Sequence, residues 1–146
     1  MEINGKEIYC RDVDAKVLMA FITCETSDRK ISVRDHVKIR MDGSASYKLW
    51  NTELVRRNTD GSIWVYITDN SDMENVYYGV RGRARPVAMT QTTKNRLDAF
   101  LGYYGFDSLE VHSSKKVFGV WHKGIELKNN TWYLLDKESK NLVEIN

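Results

Sequence analysis

The chain is poor in proline and cysteine. Pro86 is the single proline among 146 residues, and no Ser/Gly-rich stretch or run of like charge marks a boundary, so residues 1–146 are expected to form one domain. The two cysteines, Cys10 and Cys24, have no metal-ligand spacing. A small secreted scaffold would carry more, so both are expected to be reduced and buried. No apolar run approaches the roughly 18 residues of a membrane span, and the opening MEINGKEIYCRD has neither the basic nor the apolar region of a signal peptide. The expectation is a cytoplasmic protein with no membrane partner. An excess of one charge is missing too. Lys and Arg number 22 against 20 acids, and a net charge of +2 is too small to imply a nucleic-acid partner by itself.

Hydrophobic residues make up 42% and charged residues 29% of the chain, which excludes a disordered or collagen-like protein. The length suffices to bury a core without covalent staples. Chemistry-bearing residues are sparse. His36, His112 and His122 are the only histidines, and no nucleophile elbow, His-Glu-x-x-His helix or phosphate-binding loop accompanies them. A hairpin closed by residues 113–116 would leave His122 out of reach of His112 for shared metal binding. The sequence therefore predicts no catalytic residues, no metal site, no cofactor and no enzymatic activity.

Periodicity predicts the elements. Asn4-Gly5 signals a tight hairpin. Residues 12–23, DVDAKVLMAFIT, suit either a helix or a buried strand, with the helix favoured. From Ile31 onward the signals are mostly β: Val33, Val37, Ile39 and Met41 suggest a strand closed by Asp42-Gly43. Residues 45–56 and 62–68 bracket a turn at Asn58-Thr59-Asp60-Gly61, and residues 76–89 supply one or two strands. A helix follows at Thr93–Tyr104, with Leu97, Phe100, Leu101 and Tyr104 on one face, Thr92 or Thr93 as its cap and Gly105 as its end. Short strands are then expected at 109–112, 117–121, 125–128, 131–135 and 142–145. The predicted class is α+β, an antiparallel sheet with one or two helices on one face. Tyr47–Trp50 with Ile63–Tyr66 looks like Phe118–Trp121 with Thr131–Leu134, two hairpins with a tryptophan on each arm. The preference of sheets for aromatic cross-strand pairs explains this better than a duplication, and it puts all four tryptophans on strands.

The candidate binding residues lie between Gly79 and Arg96, a stretch with five basic residues and no acid. Arg81, Arg83 and Arg85 alternate, so in a strand they share a face. Lys94 and Arg96 stand in the first turn of the helix, where positive charge opposes the macrodipole and would be answered by an external anion. With the hydroxyls of Thr90, Thr92 and Thr93 they are expected to form one anion- or partner-binding surface. The plainer account weighs slightly more: three arginines covering the solvent side of a strand, balanced by Asp69, Asp72 and Glu74.

Two segments, SYKLWNTELVRRNTDGSIWVYI (46–67) and TQTTKNRLDAFLGYYGF (90–106), carry a resemblance. Their order is similar to that of a group of small proteins encoded by phages and plasmids of low-GC bacteria, in which a Tyr-x-Thr-type strand pair precedes a Thr-Thr-x-x-x-Φ-x-x-Φ-Φ helix. Here the helix matches through Thr92, Thr93, Leu97, Phe100 and Leu101, and the strand pair through Tyr47, Asn51 and Thr52. The resemblance implies a mobile-element origin and supplies no catalytic residues. By analogy with phage inhibitors, including anti-CRISPR proteins, the expected function is to bind and occlude a host protein in the host cytoplasm, such as a nucleic-acid-handling nuclease of a defence system. The alternative expectation is a nucleic-acid-binding module that uses the Arg81–Arg85 strand and the helix start.

Overall fold

The chain has an α+β fold. The computed structural model describes residues 1–23, 25–68, 76–78 and 84–145, with the backbone alone described at 76–78 and 84–86. A small hairpin opens it, β1 (Glu2–Ile3) and β2 (Lys6–Glu7). Asn4 and Gly5 reverse the chain at φ of 50° and 79°, the left-handed backbone an Asn-Gly turn supplies. The ambiguous segment is a helix, α1 (Asp12–Ile22), which buries Ala15, Val17, Leu18 and Phe21. Its start is held by Asp14, whose carboxylate accepts the Arg11 N–H at 3.1 Å.

An antiparallel meander follows: β3 (Ser27–Lys30), β4 (Asp35–Ile39), β5 (Ala45–Leu49), β6 (Thr52–Arg57) and β7 (Ile63–Ile67). Residues 45–56 are thus two strands. The chain reverses at Trp50-Asn51, so Trp50 lies in a turn, unlike the other three tryptophans. No glycine marks this reversal, and Trp50 itself adopts a φ of 55°. Next come a two-stranded ribbon, β8 (Val76–Tyr78) and β9 (Ala84–Pro86), and the second helix, α2 (Gln91–Tyr103). Thr90, two or three residues before the predicted Thr92 or Thr93, is the cap: its hydroxyl accepts the Thr93 N–H at 3.3 Å. Gly105 leaves the helix at a φ of 83°.

The C-terminal strands divide between two sheets. β10 (Glu110–Ser113), β11 (Phe118–His122) and β12 (Ile125–Leu127) form a three-stranded sheet, whereas β13 (Thr131–Leu135) and β14 (Leu142–Glu144) extend the meander into a seven-stranded sheet ordered β14-β13-β7-β6-β5-β4-β3. The strands bearing Trp121 and Trp132 therefore do not pair. Trp132 instead meets Trp64 and Tyr66 of β7. Cross-strand aromatic preference accounts for that cluster, as expected.

Both helices lie on one face of the large sheet. Phe100 of α2 meets Phe21 of α1 edge-on at 5.0 Å and stacks on Tyr47 of β5 at 5.6 Å. Val37, Ile39, Leu49, Val55, Val65 and Tyr133 complete that side of a core running from Ile3 to Leu142. Tyr103, one residue before the predicted Tyr104, is the buried tyrosine of the helix face. Side chains alternate across a strand, so the residues between these core positions emerge on the opposite face of the sheet.

Candidate functional site

The predicted surface divides when placed on the fold. Arg81 and Arg83 lie outside the described residues, as do Asp69, Asp72 and Glu74. Arg85 sits opposite Tyr77 in the β8–β9 ribbon. Thr92 is half-buried and Thr93 is buried. Lys94 forms an ion pair with Asp98 one turn along, at 2.5 Å. Arg96 is buried, its side chain 3% exposed. The external anion expected for Lys94 and Arg96 is therefore supplied from within the fold.

Arg96 is the centre of a buried network. Its Nη1 donates to Asp14 Oδ1 at 2.5 Å, while Nε and Nη2 grip both oxygens of Asp35 at 2.9 and 3.0 Å. Asp35 also accepts from Ser32 Oγ at 2.6 Å and from the Tyr47 hydroxyl. Burial works to raise the Asp35 carboxyl, but hydrogen bonds from Arg96, Ser32 and Tyr47 outweigh it and hold the group below the ordinary carboxylate value. The same burial, with the neighbouring carboxylate charge, pushes the Tyr47 hydroxyl far up, so it stays protonated and donates. Fork geometry of this kind is what arginine supplies and lysine cannot. The network joins α1, α2 and β4 and pins the β3–β4 turn, residues 31–34, to the core.

Beyond that turn lies the helix-free face of the large sheet. Its cross-strand register places Asp28, Lys38, Ser46, Arg56, Trp64 and Leu134 in one row across β3, β4, β5, β6, β7 and β13. Beside them, on one flank, run Lys30, His36, Lys48 and Glu53, continued across β7 and β13 by Tyr66 and Trp132. The face has two regions. Toward β3, Lys30, Lys38, Arg40 and Lys48 are exposed. The carboxylates there are engaged: Asp28 pairs with His36, Glu53 with Arg56 at 2.5 Å, and Asp42 accepts from Ser44 at 2.7 Å. Toward β13, Trp132 packs against Tyr66 at 5.0 Å and Trp64 at 6.4 Å, and the Arg56 guanidinium lies 4.8 Å from the Trp132 ring and 5.6 Å from the Trp64 ring. Arg40, Ser46, Lys48 and Arg56 line a shallow groove of about 470 Å³ between the regions.

Lys30, Lys38, Arg40 and Lys48 were not singled out in the sequence, although their signal is that of Arg81–Arg85. His36 and Lys38 alternate in β4, with Arg40 just past its end at the same spacing, as Trp64 and Tyr66 do in β7. What was missing was the strand order that sets them side by side.

His122, the one buried histidine, donates its Nε2–H to the Asp107 carbonyl at 3.0 Å. Burial lowers its pKa despite that bond. Cys10 is a partly buried free thiol, raised by burial, and Cys24 lies outside the described residues. Among the described residues no cluster of His, Cys, Asp and Glu could hold a metal, and no helix is long and apolar enough to cross a membrane. No family model matches the chain, and no curated protein or solved structure matches it.

Proposed function

We propose that this chain is a binding protein for single-stranded nucleic acid, held along the helix-free face of the large sheet. The observation that carries the reading is the pairing of an exposed basic track, Lys30, Lys38, Arg40 and Lys48, with an aromatic cluster, Trp64, Tyr66 and Trp132, on one continuous surface. Single strands need both. Their phosphates are met by Lys and Arg, and their unstacked bases by aromatic rings worth about 1–3 kcal/mol each. The net charge of +2 is no objection, because affinity follows local clustering.

A second reading keeps the occlusion of a host protein. Arg56 between Trp64 and Trp132 has the composition of an interface hot spot and would suit a partner with an acidic surface.

Fluorescence anisotropy with a labelled oligonucleotide tests the first reading. Binding should weaken steeply with salt, and Lys38→Glu with Lys48→Glu should cut affinity at least about tenfold and lower the salt slope by about one per lysine. Lys137→Glu, in the turn after β13, should change neither. Trp132→Ala should weaken binding without altering the slope. Absence of oligonucleotide binding, together with salt-resistant capture of a host protein that Trp132→Ala abolishes, would replace the first reading with the second.

A further inference from the structure

At the β3 end of the basic track the two neighbouring turns form an open cavity of about 300 Å³, lined by Lys30, Ser32, Val33, Arg34, His36 and Trp50 among others. It is built rather than incidental. The Trp50 N–H donates to the Arg34 carbonyl at 2.6 Å, tying the β5–β6 reversal to the β3–β4 turn. The latter turn is anchored to the core through Ser32 and Asp35, and Asp35 is neutralised by Arg96. The acid in the lining therefore does not oppose an anion.

Trp50 is the odd residue here. It stands at a φ of 55°, a backbone region that suits glycine and is an outlier for a bulky side chain. It is also 37% exposed, so the indole is displayed and not spent on the core. Such strain persists where surrounding structure imposes it, and it gathers at ligand sites. Val33 beside it is 70% exposed, giving the cavity an apolar wall in addition to its indole. Lys30 and Arg34 supply cationic groups. A volume at the lower limit of about 300 Å³ for small-molecule pockets admits one nucleotide and little more.

We infer that this cavity takes the phosphorylated terminal nucleotide of the bound strand, its base on the Trp50 indole and its phosphate between Lys30 and Arg34. The inference rests on the nucleic-acid reading above, since His36 lies beside Lys48 in the cross-strand register of the track. The tied turns close the track at this end, which makes the cavity a site for a terminus and not for a nucleotide within the strand. The shared chemistry is a terminal phosphate on a base, and the 5′ and 3′ ends are its two possible sources.

The experiment compares oligothymidylates of about eight nucleotides carrying a 5′-phosphate, a 3′-phosphate or neither. One phosphorylated form should bind at least about tenfold more tightly than the hydroxyl-ended strand. Trp50→Gly, which suits the left-handed backbone, should erase that increment without lowering the urea midpoint. Equal binding of all three strands would overturn the terminal site and leave the platform reading standing. An increment that persists in Trp50→Gly would overturn it as well. Phosphate- and Trp50-dependent binding that is indifferent to Trp132→Ala and Lys48→Glu would keep the terminal site and overturn the platform. Failure of every strand to bind would overturn both.

Discussion

Replacing Arg96 by methionine should destabilise the protein by about 3–5 kcal/mol at pH 7, the cost of breaking a buried ion pair by removing one partner. The figure belongs at the upper end of that range. Arg96 answers two carboxylates, Asp14 and Asp35, whose side chains are 1% and 0% exposed, and methionine leaves both charged and dry. Domains of this kind are stable by about 5–15 kcal/mol in total, so the variant should be marginal. Urea denaturation followed by tryptophan fluorescence and far-UV circular dichroism would measure the loss. Lysine at the same position should recover part of it, since it restores the charge but not the fork. The pH response should also change sign. In the wild type Asp35 is held low, so its contribution is present above the ordinary carboxylate value and lost as pH falls through the depressed one. Without the guanidinium, burial of Asp35 is opposed only by the hydrogen bonds from Ser32 and Tyr47, and its carboxyl rises. The variant should then gain stability as pH falls from 7 towards about 4. A cost below about 1 kcal/mol at pH 7 would refute the account of Arg96 as the keystone of this core.

Two further outcomes are expected. Acid unfolding of the wild type should show two phases: His122, lowered by burial, withdraws stability as pH falls below its unfolded value of about 6.5, and Asp35 does so below about 3.9; pH-dependent urea midpoints should lose the upper phase in His122→Gln. Leu101→Ala, at a fully buried position of α2, should cost about 2–5 kcal/mol in chemical denaturation, and a change below about 0.5 kcal/mol would mean that this helix face does not pack on the sheet.

The elements were legible because their signals are local. Leu97, Phe100 and Leu101 share a face by the geometry of 3.6 residues per turn, Asn4-Gly5 and Asp42-Gly43 turn because glycine accepts positive φ, and the strand alternation of β4 and β7 is visible in a few consecutive letters. The α+β class follows from those signals together. The break at Trp50 was not legible, since nothing in Trp-Asn announces a reversal and tertiary contact forces it.

Arg96 shows the same limit in the chemistry. Read locally, it is a cation misplaced at a helix start. Its partners, Asp35 and Asp14, stand 61 and 82 residues away, and an ion pair of that separation leaves no trace in a window of neighbours. The basic track and the aromatic cluster were each present as alternating letters, but the strand order β13-β7-β6-β5-β4-β3 placed them on one face. Periodicity within a strand is set by its own backbone, so the sequence determined which residues share a side. Adjacency between strands, and which charges are buried with which, depends on how the whole chain closes over one core, and that the tertiary structure alone decided.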